Sequence, residues 1–184
     1  MNLLKALSVL LYPTVVAVPL VIVFGFPSLF NILVGFALIS LIPTVSVVIY
    51  AKTKGTDWDI TEQNKRRIPF ILAMISYMIA VGVFWYTGSK IMLAMSSAYL
   101  VVTFSLFIVN FKTKISVHCA GMGGTLADVL CVFGWIALPL FLLVPFVAYT
   151  RVKMRAHTIR QTIYGSLLSI FISYPVFYVI FYIS

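Results

Sequence analysis

Charged side chains are scarce in this sequence. Only 9% of its 184 residues are Asp, Glu, Lys or Arg, whereas 62% are hydrophobic, and the mean hydropathy is +1.12. A water-soluble domain of this composition would have too little polar surface to cover itself. The shortage of charge therefore excludes a soluble fold and indicates that lipid surrounds most of the chain.

Cysteine is scarce as well, and linkers and internal repeats are missing. The two cysteines, Cys119 and Cys131, lie in one apolar run, about 18 Å apart if that run is a helix, so they cannot bridge each other. Their spacing matches neither a zinc site nor a disulfide framework. We predict a single integral membrane domain over residues 1–184.

Long apolar runs follow one another along the chain. A helix needs roughly 20 apolar residues to cross a bilayer, and the runs are continuous rather than alternating, which favours helices over a β-barrel. The first run contains Pro13 and Pro19 and lacks a small-residue cleavage site, so we interpret it as a span and not as a signal peptide. We predict an all-α, polytopic transmembrane helical bundle of six to seven spans. The runs are Ala6 to Phe24, Leu29 to Tyr50, Ile68 to Tyr86, Ile91 to Phe111, Ser116 to Val132, Trp135 to Tyr149 and His157 to Ile183.

The basic residues gather at one side of the membrane when these runs are placed across it. Of the thirteen Lys and Arg, only Lys90 falls on the opposite side. By the positive-inside rule, the basic side is predicted to be cytoplasmic, and an ordinary role as anchors among anionic headgroups accounts for most of these cations. The one-sided cations are Lys5, Lys52, Lys54, Lys65, Arg66, Arg67, Lys112, Lys114, Arg151, Lys153, Arg155 and Arg160.

The only two histidines, His118 and His157, lie on this same side. Arginine, whose planar fork suits bidentate binding of phosphate, is present there in addition to lysine. Ser116 stands where a helix should begin, and a capped helix start attracts anions. His157 and Gln161 are expected to share a helix face one turn apart. We predict a phosphate pocket, the alternative being two histidines satisfied at the membrane interface.

Three segments resemble the motifs of the type 2 phosphatidic acid phosphatase superfamily of membrane lipid phosphatases. Lys114-Ile-Ser116-Val-His118 resembles the second motif, Pro-Ser-Gly-His. Thr150-Arg151, with His157 and Gln161, resembles the third motif, which reads Ser-Arg, five residues, His, three residues, Asp. The segment 65–69 is a degenerate form of the first motif, Lys, six residues, Arg-Pro, whose Lys would fall at Asp59 or Ile60. The motif-bearing core covers about residues 65–165.

The resemblance implies a metal-independent lipid phosphatase or phosphotransferase without a cofactor. His157 would attack the phosphorus of a polyprenyl or phosphatidyl phosphate, and His118 would donate a proton to the leaving alcohol. Gln161 replaces the Asp that orients the nucleophile in the family. The expected partners are a lipid phosphate substrate and membrane lipids, with no nucleic acid. The phosphate-binding residues implied are Arg66, Arg67, Lys114, Ser116 and Arg151.

Two other interpretations stay open at this point. Because Gln161 adds no negative charge, the chain is alternatively a catalytically silent binder or transporter of lipid phosphates. Asp57, Asp59 and Glu62 alternatively form a Mg²⁺ site in a diphosphate-lipid enzyme, since hard cations prefer carboxylates. Asp128 lies within a predicted span, where we expect a local hydrogen bond for its carboxyl group.

Overall fold

The computed structural model describes residues 3–183, and its regular secondary structure there is helical throughout. The side chain of Lys5 lies outside the described part, so its predicted place among the one-sided cations is not addressed. A π-helical turn, Phe36–Leu41, joins α3 to α4, and another, Val179–Ile183, follows α9. The 3₁₀ segments Gln63–Arg66 and Gly134–Leu142 precede α5 and α8. The helices are α1 Leu3–Leu10, α2 Pro13–Gly25, α3 Leu29–Gly35, α4 Ile42–Lys54, α5 Arg67–Thr87, α6 Lys90–Lys112, α7 Val117–Phe133, α8 Leu143–Lys153 and α9 Ile159–Tyr178.

Five helical segments in residues 3–183 are long and apolar enough to cross a membrane. They are Leu29–Lys54, Gln63–Thr87, Lys90–Lys112, Val117–Lys153 and Ile159–Ile183, and Pro13–Gly25 is a shorter apolar helix. The prediction of an all-α bundle is confirmed, and its long apolar helices fit an integral membrane protein.

The first predicted span is wrong as a single helix. Ala6 to Phe24 divides into α1 and α2, with Tyr12 in extended conformation between them (φ −65°, ψ 137°). The next residue is Pro13, which disfavours helical backbone at the residue before it and suits the first position of a new helix. The break leaves Ser8 and Tyr12 at the end of the bundle where the motif segments lie.

The long segment Val117–Lys153 reverses direction at Gly134, which has a φ of +62°. Leu126 of α7 packs in one apolar cluster with Val147 of α8. In a straight helix these residues would be about 31 Å apart at 1.5 Å per residue, so α7 and α8 must lie side by side. The fifth and sixth predicted runs are therefore two separate helical stretches that lie side by side.

Glycines let α7 and α9 pack closely against their neighbours. A Cβ at Gly123 would lie 2.7 Å from the Oγ of Ser169 on α9, and a Cβ at Gly165 would lie 2.7 Å from the carbonyl oxygen of Ser116. A side chain at either position would push the helices apart. The close contact holds the start of α7 against the first turns of α9.

Long-range hydrogen bonds fasten the motif-bearing segments to one another at one end of the bundle. The Nη1 of Arg66 donates to the carbonyl of Ile115 (2.8 Å), and the Nζ of Lys114 donates to the carbonyl of Ala156 (2.8 Å). The predicted grouping of these segments at one end is thus observed.

Candidate functional site

Ser116 begins the site at the N-terminus of α7. Its fully buried hydroxyl accepts a hydrogen bond from the backbone N–H of Cys119 (3.4 Å), and its own N–H donates to the carbonyl of Gln161 (3.2 Å). The predicted N-cap is confirmed, and the cap is tied to α9. His118, two residues further on, is held on the first turn of α7.

The sequence predicted His157 to be the first residue of the last span, but the structure places it just before α9. Thr158 is the N-cap residue and forms a capping box with Gln161, so the helix begins at Ile159. The predicted contact nevertheless exists, because the Oε1 of Gln161 lies 3.1 Å from the Nδ1 of His157 and also accepts the N–H of Thr158 at 3.1 Å. An oxygen can only accept, so Nδ1 carries the proton and Nε2 keeps its lone pair.

Cations from three separate segments surround His157. Burial first, and then the charge of Arg66, lower the pKa of His157 to about 3. Lys114 and Arg151 act in the same direction, whereas the hydrogen bond that His157 donates to Gln161 acts in the opposite one. The imidazole is therefore neutral at pH 7. The structure thus assembles an unprotonated ring nitrogen among three positive charges.

Arg66 belongs to the site, whereas its neighbour Arg67 does not. The buried Arg66 ends the 3₁₀ turn before α5 and donates from Nε to the carbonyl of Ile60 (2.7 Å), in addition to its bond to Ile115. Arg67 is exposed, and its guanidinium stacks over the ring of Phe111 at 4.7 Å. Of the two arginines that the sequence offered, only Arg66 faces the other motif residues.

Lys114 is half-buried beside the loop that carries His157. Its ammonium donates to the carbonyl of Ala156, the residue that precedes His157 in the chain. Burial, followed by the charges of Arg66 and Arg151, lowers the pKa of Lys114. These three cations therefore act on one another as well as on the histidine.

Arg151 is the most deeply buried cation of the site, at 1% exposure in the last turn of α8. Its Nη1 donates to the Oγ of Ser8 (2.5 Å) and to the Oδ2 of Asp59 (3.0 Å). Its Nε is buried and has no hydrogen-bond partner. A buried N–H without an acceptor is costly, and it points to an acceptor that binds there.

His118 is buried against the N-terminal segment of the chain. Its Nε2 lies 3.3 Å from the carbonyl oxygen of Ser8 and 3.7 Å from the Oδ1 of Asp59, and the ring of Tyr12 packs edge-on at 5.0 Å between centroids. Burial, with Asp59 as the second cause, raises the pKa of Tyr12, so its phenol stays protonated.

Sequence reasoning missed Ser8, Tyr12 and Asp59 as members of this site. The one available signal was that the lysine of the first resembling motif would fall at Asp59 or Ile60, and a charge of opposite sign occupies the first of these positions. Ser8 and Tyr12 offered no signal, because the apolar run that contains them looked like an ordinary span.

The acids of the 57–62 loop bind different partners. Asp57 accepts the N–H of Thr61 at 3.0 Å, Glu62 pairs with Lys65 at 2.7 Å, and Asp59 binds Arg151. Across residues 3–183 no three His, Cys, Asp or Glu side chains come together in a way that could hold a metal ion. The loop therefore does not form the cluster that the Mg²⁺ interpretation requires.

A cavity of about 110 Å³ extends into the bundle from Asp59, Arg66 and His118, and His157 and Arg151 lie outside its lining. Asp59, Arg66 and His118 line one end, and Tyr99, Thr125 and Ser173 line the other. The wall between the two ends is mainly apolar and is formed by residues such as Pro43, Val47, Ala73, Val102, Leu106 and Ala120. Beyond the deep end, the fully buried Asp128 accepts a hydrogen bond from Ser173 (2.7 Å), as predicted.

No protein-family model, curated protein or solved structure matches this chain. Its function has to be inferred from its own contacts and charges.

Proposed function

We propose that this protein is a membrane lipid phosphatase or phosphotransferase that cleaves a phosphomonoester or diphosphate through a phosphohistidine intermediate. The substrate class is a lipid phosphate of polyprenyl or phosphatidyl type. The proposal unites the motif resemblance with the geometry of the site.

The observation that carries the proposal is an excess of buried or half-buried positive charge near a neutral histidine. Arg66, Lys114 and Arg151 converge on His157, and Asp59 is the one carboxylate within salt-bridge distance of any of these three cations in residues 3–183. Buried charges need partners of opposite sign, and the unpartnered Nε of Arg151 marks a place for an acceptor oxygen. A phosphate group supplies both the negative charge and the oxygens.

Each histidine has a separate task in this chemistry. The Nε2 of His157 attacks phosphorus while the bond from phosphorus to the leaving oxygen breaks, and His118 gives its proton to that oxygen. Water then attacks the phosphorus of the phosphohistidine while its bond to Nε2 of His157 breaks, His118 takes a proton from the water, and inorganic phosphate leaves. In the phosphotransferase variant, an acceptor alcohol replaces the water. Arg66, Lys114 and Arg151 stabilise the charge that develops on the phosphoryl oxygens.

The cavity supports a lipid as the substrate. Its charged end contains Arg66, His118 and Asp59, and its apolar wall continues between the helices, which favours a ligand with a charged group next to an apolar chain. A soluble phosphate ester has no apolar chain to pack against this wall.

Gln161 supports a second candidate, a lipid-phosphate binder without catalysis. A neutral amide holds His157 by the observed hydrogen bond but does not stabilise the positive ring of a phosphohistidine as a carboxylate would. The cations would still bind a lipid phosphate even if the protein did not hydrolyse it.

The deciding experiment measures phosphate release from a panel of lipid phosphates by the full chain in detergent containing EDTA. We expect turnover in the wild type, none in His157→Ala and a loss of about 10²- to 10⁴-fold in His118→Ala. Turnover that persists in His157→Ala would overturn the phosphohistidine mechanism. A silent wild type that still binds the lipids would favour the binder, and loss of all activity in EDTA would favour metal chemistry.

We further propose that the site faces the cytoplasm. Support comes from the excess of Lys and Arg at this end of the bundle, which the positive-inside rule assigns to the cytoplasm. The exposed Lys54 permits a test by Lys54→Cys, with Cys119 and Cys131 both buried in the bundle. Impermeant maleimide should label Cys at position 54 only after cells are opened, and ready labelling in intact cells would reverse the orientation.

A further inference from the structure

Asp59 connects the two motif positions that carry the proposed chemistry. Its side chain is only 22% exposed, one carboxylate oxygen binds the Nη1 of Arg151 at 3.0 Å, and the other lies 3.7 Å from the Nε2 of His118. Arg151 comes from the third motif segment and His118 from the second. A single carboxylate therefore lies between residues that are far apart in sequence.

The backbone around Asp59 is fastened in place. Ile60 is buried with a φ of +43°, its N–H donates to the carbonyl of Asp57 (3.0 Å), and its carbonyl accepts from the Nε of Arg66 (2.7 Å). Arg66 in turn binds Ile115, just before α7. Because these bonds hold the residue after Asp59, its carboxylate is a built part of the site and not a mobile surface group.

The contact with Asp59 sets the direction of the Arg151 guanidinium. Asp59 and Ser8 both bind Nη1, whereas Nε has no partner. The donors of a guanidinium lie in one rigid plane, so fixing Nη1 also fixes where Nε points. Asp59 thus keeps one edge of Arg151 occupied and leaves the edge with Nε for the phosphate.

The same carboxylate provides negative charge next to His118. A proton donor must carry a positive charge before it reacts, and Arg66 and Arg151 both oppose that charge by repulsion. The titratable and charged groups around His118 are Arg151 of α8, Arg66 before α5, Tyr12 between α1 and α2, and Asp59. Asp59 is the anion in this set, and at 3.7 Å from Nε2 it offsets part of the repulsion by Arg66 and Arg151.

We propose that Asp59 is a positioning residue that aims Arg151 at the phosphate and stabilises the protonated form of His118. This proposal rests on the proposed function, since both roles serve phosphoryl transfer. It also explains a carboxylate among cations that bind an anion, because Asp59 fixes the residues that hold the phosphate.

The test compares Asp59→Asn, Asp59→Glu and the matched control Glu62→Gln in the full chain. We expect Asp59→Asn to lower kcat about tenfold or more and to move the alkaline limb of the kcat profile to lower pH, because His118 loses its proton more easily. Asp59→Glu should recover part of the rate. Glu62→Gln, which removes an exposed ion pair with Lys65 in the same loop, should stay within about twofold of the wild type.

A second measurement does not depend on turnover. Since the chain has only two histidines, ¹⁵N NMR of labelled imidazoles resolves each one, and His118→Asn assigns the signals. In Asp59→Asn the protonated fraction of His118 at a given pH should fall, while the His157 signal stays unchanged. An unchanged His118 signal together with an unchanged kcat would overturn the role of Asp59. A wild type that releases no phosphate would instead overturn the proposed function, and the His118 signal would still decide whether Asp59 holds its charge.

Discussion

Gln161 and His157 are joined by a hydrogen bond of 3.1 Å between Oε1 and Nδ1, across the N-cap of α9. The same oxygen accepts the N–H of Thr158, which fixes the orientation of the amide. The bond therefore sets the tautomer of His157 and leaves Nε2 free to act as a nucleophile.

Removing this bond should slow the reaction, whereas adding a negative charge to it should speed the reaction. We expect Gln161→Ala to lower kcat about tenfold or more, because the ring loses both its tautomer preference and its orientation. Gln161→Glu keeps the length of the side chain and the capping box while adding a negative charge, so its kcat should rise above that of the wild type. Steady-state phosphate release measures both variants. Equal rates in Gln161→Ala and the wild type would show that the bond has no catalytic role.

Arg66 and Arg67 form a matched pair for testing the phosphate site. Arg66→Lys loses the fork that binds Ile60 and Ile115, so kcat/KM should fall roughly 10- to 100-fold. Arg67→Lys alters an exposed stacking contact with Phe111 and should leave kcat/KM within about twofold. The two variants are compared by kcat/KM on one lipid phosphate. An equal loss in both variants would show that Arg66 has no particular role in binding the phosphate.

The apolar wall of the cavity predicts that KM depends on the length of the apolar chain of the substrate. Val102 lines its apolar wall, and the adjacent Val101 is 38% exposed on the outside of the helix. Val102→Phe should raise KM for a long-chain lipid phosphate roughly tenfold but should not affect a short soluble phosphomonoester. Val101→Phe is the control and should behave as the wild type. A uniform effect on both substrates would argue against the cavity as the binding place of the chain.

The lowered pKa of His157 makes stability depend on pH. In the unfolded chain His157 takes up a proton near pH 6.5, whereas in the folded protein its pKa is about 3. Between these values the unfolded state binds more protons, so the contribution of His157 to folding stability is complete above pH 6.5 and is lost as the pH falls toward 3.

Thermal unfolding in detergent at pH 7.5 and pH 5.0 measures this effect. Between the two pH values, the Tm of the wild type should fall several degrees more than that of His157→Gln, because glutamine at this position does not titrate. Equal losses would show that His157 is accessible to protons in the folded state.

Much of the architecture was predictable from the sequence because apolar length and proline position act locally. The continuous runs predicted helices, and Ser116 predicted the start of α7, since capping needs only a hydroxyl and the next few N–H groups. The prediction of the first run as one span was wrong because the break in it depends on tertiary packing. Whether Pro13 bends a helix or begins a new one depends on what the chain packs against, and a Cβ at Gly121 would overlap Pro13 in the packed bundle.

The sequence by itself determined that the chain is a helical bundle with long apolar helices and that its histidines and most of its cations gather at one end. Both follow from composition and from the order of the runs. Only the tertiary structure decided that Arg66 and not Arg67 joins the site, that Ser8, Tyr12 and Asp59 complete it, and that Arg151 keeps an unpartnered Nε. These outcomes depend on contacts between segments up to 143 positions apart, which local sequence patterns do not encode.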